Sequence, residues 1–185
     1  MTGRIFTADH HVYDLPPLLS WNVRHTGTVP CDSWSVTAVY QLEMLTVLRM
    51  AAGFAAIENG TTQLRGIVDE YTVELGSRGM TVTLSGRGYA ARLLDNESRP
   101  VTYEQVTLRE LIRCHAEPYG ISCGAAADLR STVPYTAGVG ISQWKVISEF
   151  CRTYGGFLPR FAKTGELLAT PEQDSGKRII PVSYT

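Results

Sequence analysis

Hydrophobic and polar residues alternate most cleanly between Ile67 and Ser85. In a first run Ile67, Tyr71, Val73 and Leu75 fall on one side, against Val68, Glu70, Thr72 and Glu74. In a second, Met80, Val82 and Leu84 alternate with Thr81, Thr83 and Ser85. A period of two on both sides of Gly76-Ser77-Arg78-Gly79 predicts a β-hairpin with one buried face. The step Ser85-Gly86-Arg87-Gly88 then breaks the second strand, and residues 89–94 carry Tyr89, Ala90, Leu93 and Leu94 on one side of a short helix.

The period changes to 3,4 spacing further on. Thr107 and Glu110 form a T-x-x-E capping box, and Leu108, Leu111, Ile112, His115, Ala116 and Tyr119 then mark one helical face, ended by Pro118 and Gly120. A second amphipathic helix is predicted over residues 142–154, with Val146, Ile147, Phe150, Cys151 and Tyr154 on its apolar face and Gly155-Gly156 at its end. The two helices superimpose in sequence, with Thr107 opposite Ser142, Leu111 opposite Val146 and Gly120 opposite Gly155. That match fits a structural duplication, and it equally fits any two capped amphipathic helices; two copies are too few for a solenoid.

Elsewhere the pattern is mixed. Pro16-Pro17 and Pro30 predict irregular structure over residues 1–32. Trp34, Val36, Ala38 and Tyr40 alternate as a strand, and residues 53–57 form another. Asn59-Gly60 suits a hairpin turn with positive φ, followed by a long strand over 61–75 that bends at Gly66. Residues 42–50 are apolar on both sides and fit either a buried strand or a short helix. Several strands joined by tight turns predict a small barrel or strongly curved sheet. Residues 95–106 read as a linker or crossing strand, 156–170 as a hairpin turning at Lys163-Thr164-Gly165, and 171–178 as a loop.

Val82-Thr83-Leu84-Ser85-Gly86-Arg87-Gly88, then Ala90-Ala91-Arg92-Leu93-Leu94-Asp95, Thr107-Leu108-Arg109-Glu110-Leu111-Ile112 and Ala116-Glu117-Pro118-Tyr119-Gly120-Ile121 follow in an order that resembles the baseplate hub proteins of phage tails. That family includes the Mu-like and T4-like hubs and the late control proteins. The resemblance favours a strand over residues 42–50. It implies an α+β fold: a β-rich, tube-like barrel over residues 1–88, then a small α+β subdomain over 89–178 with two amphipathic helices and hairpins. Residues 179–185 begin a further strand or linker. It also implies a homotrimeric ring joining a tail tube protein to a spike protein in the virion tail, assembled in the host cytoplasm. Hub proteins carry a second tube-like barrel after the helical part. This chain ends where that barrel is expected, so the expectation is of a fragment or a short relative that assembles weakly alone.

Composition agrees with a folded module, and no enzymatic activity is expected. Charged residues are 19% and hydrophobic residues 44%, a globular balance. A net charge of −1 supplies no basic field for nucleic acid. No apolar run approaches the roughly 18 residues of a membrane span, and residues 1–7 lack a signal-peptide core, so use without Sec export is expected. Cys31, Cys114, Cys123 and Cys151 are spread out and read as reduced and mostly buried, without the C-x2-4-C spacing of structural zinc. Cys114 and His115 diverge on a helix and do not pair as nucleophile and base. Glu70 and Glu74 read as polar-face strand residues. Gly86-Arg87-Gly88 is too short to cradle phosphate. His10, His11 and His25 read as solvated loop residues, His115 as a hydrogen-bonded core histidine, and Tyr119, Tyr135, Trp144 and Tyr154 as core aromatics. No catalytic, metal or cofactor residue is assigned. Two rival readings remain: a carbohydrate- or peptidoglycan-binding module, resting on the aromatics, and a small hydrolase using Cys114 or Cys123.

Overall fold

The computed structural model describes residues 1–26, 30, 32–77 and 79–172. The strands are β1 (Thr2–Thr7), β2 (Val12–Asp14), β3 (Leu18–Arg24), β4 (Ser33–Val39), β5 (Ala51–Glu58), β6 (Thr61–Gly76) and β7 (Gly79–Gly88), with helix α1 (Met44–Arg49) between β4 and β5. Helix α2 (Ala91–Leu94), β8 (Val101–Tyr103), α3 (Leu108–His115), β9 (Cys123–Ala126), β10 (Tyr135–Ala137), α4 (Gln143–Phe150), β11 (Arg160–Phe161) and β12 (Leu167–Ala169) follow. The fold is α+β.

The first seven strands form one antiparallel sheet in the order β2-β1-β5-β6-β7-β4-β3. Its end strands β2 and β3 are joined through only Leu15, Pro16 and Pro17, a link of at most about 14 Å. In a flat sheet six interstrand spacings would hold these strands about 29 Å apart. The sheet must therefore curl. The rings of Trp34 on β4 and Phe54 on β5 stack 3.8 Å apart although β6 and β7 lie between their strands. Among the described residues no ladder joins β2 to β3, so the expected barrel is a curled sheet left open along a seam. Proline at the seam has no N–H to offer a closing ladder.

The curl encloses Ile5, Trp34, Val36, Ala38, Phe54, Ala56, Leu64, Val82 and Leu84. Trp34, Val36 and Ala38 are buried in alternation, and so are Val82 and Leu84. Met44 and Leu48 of α1, one turn apart, complete this core. The strand expected over residues 42–50 is thus a helix: its one buried stripe needs the i, i+4 spacing, and Leu42 and Leu45 point to solvent. The irregular region expected over residues 1–32 holds three strands; Pro16 and Pro17 fall in the link between β2 and β3, and Pro30 between β3 and β4.

The expected hairpin of β6 and β7 is present, with Leu75 opposite Met80 and Val73 opposite Val82. A bulge between Val68 and Glu70 inserts Asp69 and inverts the alternation. Val68, and not Ile67, therefore joins Val73 in packing on the core. Beyond the bulge the hairpin outruns its core, and the face expected to be buried is exposed at Leu75 and Met80.

The second core gathers Leu108, Leu111, Ile112, Ala116, Val146, Ile147, Phe150 and Cys151 from α3 and α4 with Leu93, Leu167 and Ala169. The Thr107 side chain accepts from the Glu110 N–H, and the Glu110 carboxylate accepts from the Thr107 N–H, completing the capping box. Ser142 accepts likewise from the Lys145 N–H. The sequence match between the helices survives as a repeated order, β8-α3-β9 and β10-α4-β11. β8 pairs with β10 around Thr102 and Thr136, whose hydroxyls bond at 3.0 Å. β9 and β11 flank β12. The repeat slips at the helix ends. After α4 a wide π turn, Cys151–Gly155, adds a residue. The left-handed position that Gly120 fills after α3 therefore falls to Gly156, with φ 68°, and not to Gly155. A Cβ on Gly155 would lie 2.5 Å from the Phe157 ring, so Gly155 serves packing. The β11–β12 hairpin turns at Gly165 as expected, and residues 179–185 lie outside those described.

Leu111 and Ile112 are 0% and 2% exposed. Leu111→Ala or Ile112→Ala is expected to lower unfolding free energy by about 2–5 kcal/mol, and Thr107→Ala by about 1 kcal/mol, read as shifts in the urea midpoint. An unchanged midpoint in both core variants would contradict the packing described.

Candidate functional site

The glycine step after β7 joins the two cores, and each glycine has a steric reason. A Cβ on Gly66 would collide with the Arg87 carbonyl, and one on Gly86 with the Ile67 carbonyl and the Trp34 ring. Gly88 lies against Asp32, donating its N–H to the Asp32 carbonyl at 2.8 Å. Without side chains at these points β6 and β7 cross closely and the Arg87 side chain turns outward.

There Arg87 forms a clamp. Its Nε and Nη2 donate to Asp69, the bulge residue, at 2.8 and 2.9 Å. Its Nη1 and Nη2 donate to Asp95, after α2, at 3.0 and 2.9 Å. The two carboxylates raise the guanidinium pKa well above its ordinary value. Planar, two-toothed pairing of this kind needs arginine. The Gly86-Arg87-Gly88 step, unable to cradle phosphate, instead fixes the hairpin to the start of the α+β part.

The residues weighed as candidate chemistry are dispersed. His115 is buried: Tyr103 Oη lies 3.0 Å from its Nε2, and its Nδ1 lies 2.6 Å from Gln143 Oε1. The Gln143 Nε2 donates to the Glu97 carbonyl at 2.8 Å and to Tyr119 Oη at 2.9 Å. Because the Glu97 carbonyl only accepts, the Gln143 orientation is fixed; Nδ1 of His115 then carries the proton and Nε2 accepts from Tyr103. Both ring nitrogens are occupied, so His115 is a hydrogen-bonded core histidine and not a base for Cys114.

Cys114 is exposed, against the expectation of burial; it falls on the outer face of α3. Cys123 is half-buried, and burial pushes its thiol pKa up, away from the thiolate a nucleophile needs. Cys151 is buried, its pKa pushed up to about 12 by burial. Cys31 lies outside the described residues, among which no group of three His, Cys, Asp or Glu side chains is placed to hold a metal. Glu70 and Glu74 are exposed, and Glu70 accepts from the Ser85 hydroxyl at 2.9 Å. His11 and His25 have carboxylate partners invisible in the sequence pattern, Asp9 at 3.0 Å and Asp32 at 2.9 Å. Tyr135 donates to the Val146 carbonyl at 2.7 Å and packs edge-on to Phe150, and Trp144 packs on Phe161.

What the fold exposes is apolar surface. At the hairpin end Leu75 is 82% exposed, facing Met80 across the ladder. Val39 pairs with Thr81, and the Tyr40 N–H donates to the Met80 carbonyl, which brings the end of β4 and the following Leu42, 81% exposed, alongside. The end strand β3 adds half-exposed Leu19 and Trp21. These features make up a curled antiparallel sheet with an overhanging hairpin and a clamped strand–helix lobe.

Neither a family model nor a curated protein sequence matches the chain. Solved structures of phage tail proteins share its fold. A tail protein from Neisseria meningitidis MC58 aligns over 90% of this chain and 50% of its own, with TM-score 0.68 and 14% identity. The 43 kDa tail protein of prophage MuSo2 from Shewanella oneidensis aligns over 95% of this chain and 56% of its own, with TM-score 0.70 and 15% identity. The chain thus spans about half the length of these two proteins.

Replacing Arg87 by lysine keeps the charge but removes the fork. Arg87→Lys is expected to cost about 1–2 kcal/mol of stability at low salt, with the difference from wild type shrinking as salt is added. Urea midpoints at two ionic strengths measure it; equal midpoints for both proteins would show that the clamp does not hold the two parts together.

Proposed function

We propose that this protein is a structural component of a phage tail or tail-like injection particle and serves there as the hub between tail tube and spike. The observation that carries the reading is the fold match: one alignment runs over 95% of the chain, taking in the curled sheet and the helical lobe together. The exposed apolar hairpin end supports a protein partner, since large apolar side chains in that number on one edge mark contact surfaces. The occupied ring of His115 and the raised thiol pKa of Cys123 favour a structural role over the hydrolase reading. Tyr119, Tyr135 and Trp144 are packed or hydrogen-bonded within the lobe, which leaves them unavailable as a sugar platform.

In this reading the protein forms a homotrimeric ring, contacting the tube protein on one side and the spike protein on the other. Cryo-electron microscopy of the parent particle, with the protein tagged on an exposed loop, tests it. The expected result is threefold density at the junction of tube and spike. Density repeated along the tube would replace the hub by a tube subunit, and absence from purified particles would overturn the tail reading itself.

A further inference from the structure

Between the sheet and the α+β lobe lies a cavity of about 210 Å³. Arg65 of β6, Tyr89 after the glycine step, and Arg160, Phe161 and Lys163 of the β11–β12 hairpin line it. Arg65 is held as a stacked cation, its guanidinium carbon 4.9 Å from the Phe6 ring centroid and 5.7 Å from that of Tyr89. Arg92 stacks on Tyr89 as well, at 4.8 Å. The rings orient the Arg65 fork without using its N–H groups.

The charges here are not balanced. Among the described residues Arg65 has no carboxylate partner. Arg160 donates to the Thr170 carbonyl at 3.0 Å, and Lys163 to Gln63 Oε1 at 2.8 Å, both neutral acceptors. Among the described residues the one carboxylate lining the cavity, Asp32, already accepts from His25 Nδ1, the Thr26 N–H and the Thr26 hydroxyl. Glu166, on the adjoining groove that Arg65 also lines, accepts from the Thr164 hydroxyl at 3.0 Å. Three cations therefore face a small cavity whose other walls combine the apolar Leu64, Ala90 and Pro159 with His25, Thr26 and the already engaged Asp32.

We propose that this cavity is a binding site for a carboxylate on an apolar stem, such as the last residue of a peptide with a free C-terminus. The planar Arg65 fork matches a carboxylate, Lys163 and Arg160 supply the remaining charge, and the apolar walls take the stem. The volume decides the scale: it falls below the roughly 300 Å³ at which drug-sized ligand pockets begin, and admits about one side chain. The site stands independently of any role in a tail.

The test is a titration of the whole chain, followed by NMR of the Tyr89 and Phe161 rings, with N-acetyl-alanyl-leucine as the free acid, the same dipeptide as its amide, and inorganic phosphate. The free acid is expected to bind, with the amide about tenfold weaker or more. Arg65→Gln is expected to lose about tenfold in affinity for the acid. Lys163→Gln, at an exposed position that leaves the core untouched, is expected to weaken binding in the same direction. Urea midpoints of both variants check that they fold. Equal binding of acid and amide, wild-type affinity in a folded Lys163→Gln variant, or no binding up to about 10 mM acid would each overturn the proposal. Phosphate binding as tightly as the dipeptide would overturn it in favour of a site for bare oxyanions.

Discussion

The close crossing of β6 and β7 sets the geometry of everything that follows it in the chain. At Gly66 and Gly86 the backbones lie where no Cβ fits. The pinch is accompanied by the bulge at Asp69, since a bulge sharpens strand twist locally. Twist and bulge together bring the carboxylate of Asp69 to the outward-turned Arg87, and Asp95 reaches the same guanidinium from beyond α2. Tyr89, the next residue after the step, is thereby set on the boundary, where Arg65 and Arg92 stack against it and Gly165 of the last hairpin comes within contact of its ring. One pinch in the sheet thus fixes the lobe's starting point, and the clamp prevents that point from swinging.

What could be read in the sequence was local. The β6–β7 hairpin, the Thr107 capping box, the Asn59-Gly60 turn and the apolar faces of α3 and α4 rest on neighbours within a few residues, so alternation and 3,4 spacing reveal them. The misreadings share the opposite property. Pro16-Pro17 suggests a break across a whole region, whereas it spans a seam between end strands that pair with partners elsewhere. Residues 42–50 are too short a run for period to decide, and the core that Met44 and Leu48 fill is supplied by distant strands. The bulge at Asp69 inverted the facing of Ile67 and Val68, which strict alternation cannot register.

The buried polar groups show the same limit in a sharper form. His115 could be placed on an apolar face from the sequence, but its partners are Tyr103 and Gln143, and Gln143 is held in turn by Glu97 and Tyr119. The network has a stability reason: an unpaired imidazole at that depth would carry a desolvation cost with nothing to offset it. Because both ring nitrogens of His115 and both ends of the Gln143 amide are used, it ties β8, α3 and the start of α4 into one unit. A residue that looks like chemistry in a linear reading is here part of the frame. The cavity lined by Arg65 is the reverse case, because no motif in the sequence joins residues 65, 89, 160 and 163.

The overhanging hairpin follows from the same mechanics. A two-stranded ribbon in water is marginal on its own, yet β6 and β7 stay paired out to Gly76 and Gly79. Their roots belong to a seven-stranded curled sheet, so the ribbon inherits order from the ladder behind it and does not need a core beneath its tip. The tip is consequently free to carry Leu75 and Met80 toward solvent, where a residue selected only for folding would be polar. If the exposed apolar tip meets another protein, as the proposed function requires, a ribbon already held in place by the ladder behind it would lose little conformational entropy on contact.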